Sequence, residues 1–375
     1  MILSFLITGD FCPCLNDLDK DSFSNIKDIL IGHDLIVSNL ECAIKKGNEK
    51  PIIKEGPSLA CNVEQLKYLV NIGKTLFTLA NNHVMDYGNQ GIYNIFEASK
   101  TMNVSFVGAG NNISEARKPF YFEKNNFRVA FINCCEHEFS IADENTPGAN
   151  PMDIISIYNQ IQEAKKEASI IIVIAHGGHE YYQLPSQRIQ ETYRFFIDAG
   201  ANAVIGHHPH CISGMEFYKE GMIYYSLGNF YFNNHNKDKN IWNEGFCVEL
   251  KIDTDIKKII SHNIIPYTQC LNNNKIIKLS ESAYDDFNKK YVRLNKIIAN
   301  KDILNKKNKE YFKSQERKAI SRILPYTNRY LVALYKRGLL PSFLTKKNIA
   351  TRLNAVRCEA HRDILISVLS NKLIN

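Results

Sequence analysis

The stretch Ala201-Asn-Ala-Val-Ile-Gly-His-His-Pro-His210 decides the reading of this chain, because a short apolar run opens through one glycine onto three histidines within four positions. Ala203–Ile205 has the composition of a buried strand end, and Gly206 is expected to turn the backbone so that the imidazoles leave the sheet edge together. His208 and His210 stand two apart, a spacing that in extended chain sends both side chains to one side. Neutral imidazole is the commonest protein ligand for divalent transition metals. Taken alone, the cluster is equally compatible with an ordinary surface turn. What decides is whether other strands end in the same chemistry.

Residues 1–270 alternate short apolar runs with polar, periodic segments. Strands are predicted at 3–8, 35–38, 75–79, 105–107, 128–133, 169–175, 203–205, 222–226, 246–252 and 259–265. Helices are predicted between them at 62–72, 88–102, 153–168 and 184–199, the last closed by Gly200 in a left-handed cap. That order implies an α/β layered fold, in which ligands gather outside the carboxyl ends of strands. There Asp10 and Cys12 follow the first strand, Asn39 and Glu41 the second, and Asn81, Asn82 and His83 the third. His176, His179, Glu180 and Tyr181 follow the strand that precedes the histidine cluster. Each has an ordinary explanation: Asp10 as a cap, Glu41 solvated, Asn82 in a turn, His176 in the core. Five strands delivering Asp, Glu, Asn and His to one rim form a metal-site pattern.

The carboxylates of Asp10 and Glu41, the amide oxygen of Asn82 and the imidazoles of His176, His208 and His210 suit divalent ions such as Mn, Fe or Zn. They exceed the needs of one tetrahedral zinc, so one ion or two are expected, two sharing a bridging carboxylate. Such a centre suits hydrolysis of a phosphoester by metal-activated water. His83 is the candidate for protonating the leaving oxygen, with Asp86 orienting it. Asn39, Asn81, His179, Glu180, Tyr181, His207 and Asn229 are expected to touch substrate or to hold the ligands from behind. Tyr181, Tyr182 and Phe230–Phe232 would line a cleft or, as aromatic residues commonly do, fill the core. Gly108-Ala-Gly110 reads as a tight turn, since a lone Gly-x-Gly is weak evidence for a nucleotide site.

Several of these segments, in order, resemble the motifs of the CapA (PgsA-type) capsule-synthesis proteins: Asn39-Leu-Glu41, Leu79-Ala-Asn-Asn-His83-Val-Met-Asp86-Tyr-Gly88, Gly108-Ala-Gly110 with Glu115-Ala-Arg117, His176 with Glu180-Tyr181, Gly206-His-His-Pro-His210 and Tyr225-Ser-Leu-Gly-Asn-Phe230. The resemblance runs from residue 1 to about residue 268. The family is similar in turn to calcineurin-like metallophosphoesterases, which implies a four-layer αββα sandwich around a dinuclear site. It also implies a role in making poly-γ-glutamate or a capsular polysaccharide. The resulting expectation is a metal-dependent phosphoester hydrolase acting on an anionic polymer intermediate or another phosphorylated substrate. Two alternatives stand beside it: a non-catalytic assembly protein of the same fold, and a metal-assisted hydrolase or transferase of an amide-linked polymer. Two departures matter. The phosphoesterases' first motif is Asp-x-His where this chain has Asp10-Phe-Cys12, so a thiolate replaces an imidazole or one ligand is lost. Gly177 stands where the family has tryptophan, which removes a stacking wall for substrate.

Composition sets the outer limits. Of 375 residues 45% are hydrophobic and 23% charged, ordinary for a globular protein. Ten scattered cysteines, with Cys134 and Cys135 adjacent, suit reduced buried thiols. Met1–Asp10 reads as a core strand rather than a secretory signal, and no apolar run approaches the roughly 18 to 20 residues of a spanning helix. A cytoplasmic protein is therefore expected. The net charge of +7 hides an asymmetry: residues 271–375 carry 23 Lys and Arg against 8 Asp and Glu, and residues 1–270 carry 23 against 31. A domain boundary near residue 270 is expected, separating the α/β part from a basic region with helices at 283–299 and 348–373. The segment 322–347 interleaves aromatic and basic residues, which suits peripheral contact with the inner face of a membrane, an anionic polymer, or a solvated helical face. No nucleic-acid module accompanies the charge.

Overall fold

In the computed structural model, which describes residues 1–54, 56–233, 241–271, 273–315 and 328–345 with Ile349, Arg352 and Val356, the apolar runs form two stacked sheets. The first sheet runs Ile276–Lys278, Lys258–Gln269, Glu244–Asp253, Ile2–Phe11, Leu35–Leu40, Thr75–Thr78, Ser105–Val107. The short strand Asn229–Tyr231 pairs with the end of Ile2–Phe11. The second sheet runs Met215–Tyr218, Gly221–Tyr224, Ala203–His207, Ile170–His176, Phe127–Cys135, Phe120–Lys124. In the first sheet the strands from Ile2–Phe11 to Ser105–Val107 are mutually parallel. In the second, those from Phe127–Cys135 to Gly221–Tyr224 are parallel too. Parallel neighbours need crossovers, and helices supply most of them; between Ala203–His207 and Gly221–Tyr224 a loop and the antiparallel strand Met215–Tyr218 do so.

Strand alternation assigns the layers. Leu3, Phe5, Ile7 and Val37 face Phe131, Ile172, Ile174 and Ile205 between the sheets. Phe5 packs edge-on against Phe122 and Phe131 at ring-centroid distances of 5.1 and 5.6 Å. The intervening residues Leu6, Ile36 and Phe77 face outward beneath Leu66, Leu69, Ile92 and Ile95 of the helices Val63–Val70 and Gly88–Met102. On the other side Ile132, Ile171, Val173 and Val204 lie beneath Ile157, Ile161, Tyr193 and Phe196 of Ile154–Glu167 and Gln187–Ala199. The result is the αββα sandwich. Strands buried on both faces read as unbroken apolar runs, which is why they were legible. Truncating Phe131 to alanine at the centre would cost about 3–5 kcal/mol.

The side chains of Asn62, Asp153 and Ser186 cap their helices by accepting from Gln65, Ile155 and Ile189 N–H groups. The last helix therefore starts at Gln187, not at residue 184. Gly200 does close it, at φ +120°.

The expected boundary at residue 270 needs correction. The first compact unit spans Met1–Asn305 and the second Lys306–Asn375. Ile276–Lys278 completes the first sheet, and the helix Glu281–Ala299 brings Phe287 and Tyr291 against Phe246 at 6.0 and 5.6 Å. Charge changes at 270, but apolar packing continues past it. The helix Lys301–Ser314 runs across the start of the second unit, and Arg329–Lys336, capped by Asn328, lies within it. The helix expected at 348–373, and part of the segment 322–347, lie outside the described residues. No described helix is long and apolar enough to cross a membrane.

Candidate metal centre

The histidine turn is built differently from its sequence expectation. Gly206 lies inside the strand Ala203–His207, and a side chain there would meet the Tyr225 carbonyl oxygen at 2.3 Å. Glycine is required by close backbone approach, not by a turn. The turn is taken by the histidines themselves, with φ of +94° at His208 and +54° at His210. Left-handed backbone at a non-glycine residue costs on the order of 1–3 kcal/mol and persists where the surroundings enforce it. It still brings the two rings to a centroid distance of 5.9 Å.

Six donors from the two rims converge. Glu41, His176 and His208 each offer a ligand atom within 4.8 Å of the others, and so do Asp10, Glu41 and His210. Glu41 is common to both groups. Its Oε1 lies 3.6 Å from His176 Nε2 and 3.5 Å from His210 Nε2. His208 Nδ1 stands 3.1 Å from His176 Nε2, and Asn82 Oδ1 3.0 Å from the same nitrogen. His210 Nδ1 is 3.5 Å from Asp10 Oδ2.

The donors are oriented from behind. Asn39 Nδ2 donates to Asp10 Oδ1 at 2.8 Å, and His207 Nδ1 lies 3.0 Å from that oxygen. Asn81 Nδ2 donates to Asn39 Oδ1 and to the Leu40 carbonyl. Asn229 Oδ1 sits 3.0 Å from His210 Nδ1.

The carboxylate of Glu41 tests whether this cluster fits a metal. Its side chain is 0% exposed, and neither oxygen has a hydrogen-bond partner. An uncompensated buried carboxylate is among the costliest groups a protein can hold. A divalent cation between carboxylate and imidazoles removes that cost, so the residues fit a metal. Their proton affinities agree. Burial, with the neighbouring Asp10 charge, pushes Glu41 well above the usual carboxylate range. Burial alone would lower His210, but Glu41 and Asp10 outweigh it and hold that imidazole up at about 10. Burial lowers His208 to about 4 and His176 well below its ordinary value, leaving both neutral and ready to coordinate.

Beside the donors, His83 Nδ1 lies 2.6 Å from Asp86 Oδ2, the pairing expected of an imidazole oriented by a carboxylate. Asp86 Oδ2 also accepts from Leu59 N at 2.7 Å, and Lys54 Nζ contacts Asp86 Oδ1 at 2.5 Å.

Other expected residues fall elsewhere. Cys12 does not join the carboxylates; it lies in the outer core beside Cys42, and burial pushes its thiol well above the usual range. Pairing of the first strand slips register on both sides near Asp10, which breaks the two-residue alternation that would have aimed Cys12 with Asp10. His179 is partly buried beside Glu136, while Glu180 and Tyr181 are exposed. Phe230, Tyr231 and Phe232 are core. Residues missed by the sequence reading also matter. A side chain at position 177 would meet Glu136 Cγ at 2.7 Å, so Glu136 occupies that space and is held by Arg188. Trp242 lies over His210 at 4.8 Å and stacks on Tyr181 at 5.7 Å, placing an aromatic wall beside the site despite Gly177. No local motif announces Lys54, Glu136 or Trp242.

Residues 17–234 match the family described as bacterial capsule synthesis protein PGA_cap. The PGA biosynthesis protein CapA of Bacillus subtilis (strain 168) is 36% identical over 215 residues, 56% of this chain and 56% of that protein. The capsule biosynthesis protein CapA of Bacillus anthracis is 33% identical over 218 residues, 56% of this chain and 53% of that protein. The chain thus spans about half the length of the curated relatives it matches. Among solved structures, a phosphatase from Mycoplasma pneumoniae aligns at a TM-score of 0.49 with 13% identity, covering 73% of this chain and 95% of its own. A 5'-nucleotidase from Candida albicans SC5314 aligns at 0.41 with 13% identity, covering 84% and 57%.

Proposed function

The chain belongs to the PGA_cap family of bacterial capsule synthesis proteins, and on that premise we propose that it is a metal-dependent phosphoester hydrolase acting on an anionic intermediate of capsule or poly-γ-glutamate synthesis. The observation that carries this reading is Glu41, buried without hydrogen-bond partners between two groups of metal-ligating side chains. Asp10, Glu41, Asn82, His176, His208 and His210 would hold one or two ions of Mn, Fe or Zn character. A divalent metal there supplies Lewis acidity toward phosphoryl oxygens and acidifies water. The remaining steps fall to the chain. Asp86 fixes His83 through Nδ1, leaving Nε2 to give its proton to the leaving oxygen. Asn39 and His207 hold Asp10 in place, and Asn229 does the same for His210. Tyr181 and Trp242 wall one side against water.

The test is turnover of p-nitrophenyl phosphate by the full chain after removal and return of Mn²⁺ or Zn²⁺. Metal-restored turnover that His208→Ala abolishes supports the reading. A chain that folds, binds metal and turns over no phosphoester favours the non-catalytic assembly reading, toward which the removal of Cys12 from the donor set also points.

A further inference from the structure

Lys54 is a buried cation for which the metal centre has no need. Its side chain is 3% exposed, and its ammonium lies 2.5 Å from Asp86 Oδ1 and 3.1 Å from His83 Nδ1. It comes from the irregular segment before Leu59, whereas His83 and Asp86 come from the turn after Thr75–Thr78. The same segment is tied down twice more at this point: Ile52 N donates to the Asp86 carbonyl at 2.9 Å, and Leu59 N to Asp86 Oδ2 at 2.7 Å. Asp86 is thus the hub on which the segment and the imidazole meet.

Geometry divides the labour at that hub. Asp86 Oδ2 takes Leu59 N and His83 Nδ1, while Oδ1 has the Lys54 ammonium as its partner. Asp86 is fully buried. Without the ammonium its Oδ1 would face apolar surroundings with a full charge, and the carboxylate would rotate or withdraw to find another donor. Rotation would break the bond that fixes the His83 ring. We propose that Lys54 is a positioning residue for leaving-group protonation: it locks the Asp86 carboxylate, and through it aims His83 Nε2 at the oxygen that departs. The proposal rests on the phosphoester reading above. It assigns Lys54 no contact with substrate; its action passes through Asp86 and His83. In the step it serves, the P–O bond to the leaving group breaks and the departing oxygen takes the proton from His83 Nε2, while water forms the new P–O bond and its proton passes to solvent, from which His83 is reprotonated.

Leaving-group dependence separates this role from simple structural support. p-Nitrophenolate departs without a proton, whereas the alkoxide of glycerol 2-phosphate needs one. In the metal-loaded full chain, Lys54→Met is expected to lower the turnover number on glycerol 2-phosphate about 100-fold, the scale of general-acid catalysis, with little change on p-nitrophenyl phosphate and KM nearly constant for both. His83→Gln should lose at least as much on glycerol 2-phosphate, and Lys54→Arg should restore most of what Lys54→Met loses. A second readout needs no turnover: the His83 Nδ1 proton, detected by NMR in the metal-free chain, should vanish or shift in Lys54→Met and persist in Lys54→Arg. Equal losses on both substrates, or an unchanged His83 signal in a folded Lys54→Met chain, overturn the proposal while leaving the phosphoester reading intact. A wild-type chain that hydrolyses neither substrate brings down that reading and the leaving-group role together.

Discussion

The two rims that face each other across the sandwich are chemically unlike. The first sheet presents carboxylates, Asp10 and Glu41, and the second presents imidazoles, His176, His208 and His210. Neither rim is satisfied by itself. The carboxylate rim leaves Glu41 with two orphaned oxygens, and the imidazole rim holds His208 and His210 in left-handed backbone. The inter-sheet core of Phe5, Ile7, Phe131 and Ile172 presses the rims together regardless of their charge. The difference teaches that hydrophobic stacking carries the cost of assembling a site whose charges fit a cation between them.

The sharpest way to break this complementarity is at the shared carboxylate. Glu41→Gln should weaken Mn²⁺ or Zn²⁺ binding by about 100-fold or more, beyond the loss usual for residues that merely support a ligand. In calorimetry the wild-type chain should gain about 2.7 kcal/mol with metal at one hundred times its Kd, and the variant almost nothing. Without metal the order reverses, because burial already drives the Glu41 carboxyl toward its neutral form and the substitution replaces it with a neutral amide of the same shape; metal-free Glu41→Gln should melt no lower than wild type.

Substituting one imidazole separates the two donor groups. His208→Ala removes a member of the Glu41–His176–His208 group, and His210→Ala a member of the Asp10–Glu41–His210 group. Each should lower the metal content by about one equivalent per chain in elemental analysis if both groups bind. Equal and total loss in both variants would show a single ion instead.

Acidity tests the same opposition. His210 is held at about 10 against an ordinary 6.5, so in the metal-free chain its stabilising contribution is complete below pH 6.5 and is lost as the pH rises toward 10. A metal takes the place of that proton. Affinity measured by titration should therefore climb by up to about tenfold per pH unit over this window, and His210→Ala should flatten the slope. The smallest effect belongs to a residue beside the site but turned from it: Cys12→Ser should cost about 1 kcal/mol of stability and leave metal affinity unchanged.

Legibility in the sequence follows the same physical divide. Strands such as Ile170–His176 are buried on both faces and announce themselves as apolar runs, and their polar ends pointed to the rim. Edge strands Phe120–Lys124 and Met215–Tyr218 are short and half-exposed, and carry no such run. For Cys12 the sequence left two outcomes, a thiolate ligand or a lost one, and only the register slip at Asp10, invisible in the sequence, turns the thiol toward the outer core. Glu41 was expected as a ligand, but its place between both groups depends on two sheets meeting. Trp242, Glu136 and Lys54 arrive from segments with no metal-site spacing, so only tertiary structure brings them near.

The most direct test of the account is anomalous diffraction from crystals of the full chain grown with Mn²⁺ or Zn²⁺. The expected result is at least one anomalous peak beside the Glu41 carboxylate, on the side of His176 and His208, on the side of Asp10 and His210, or on both. An ordered Glu41 with no peak beside it, in crystals loaded with metal, would contradict it.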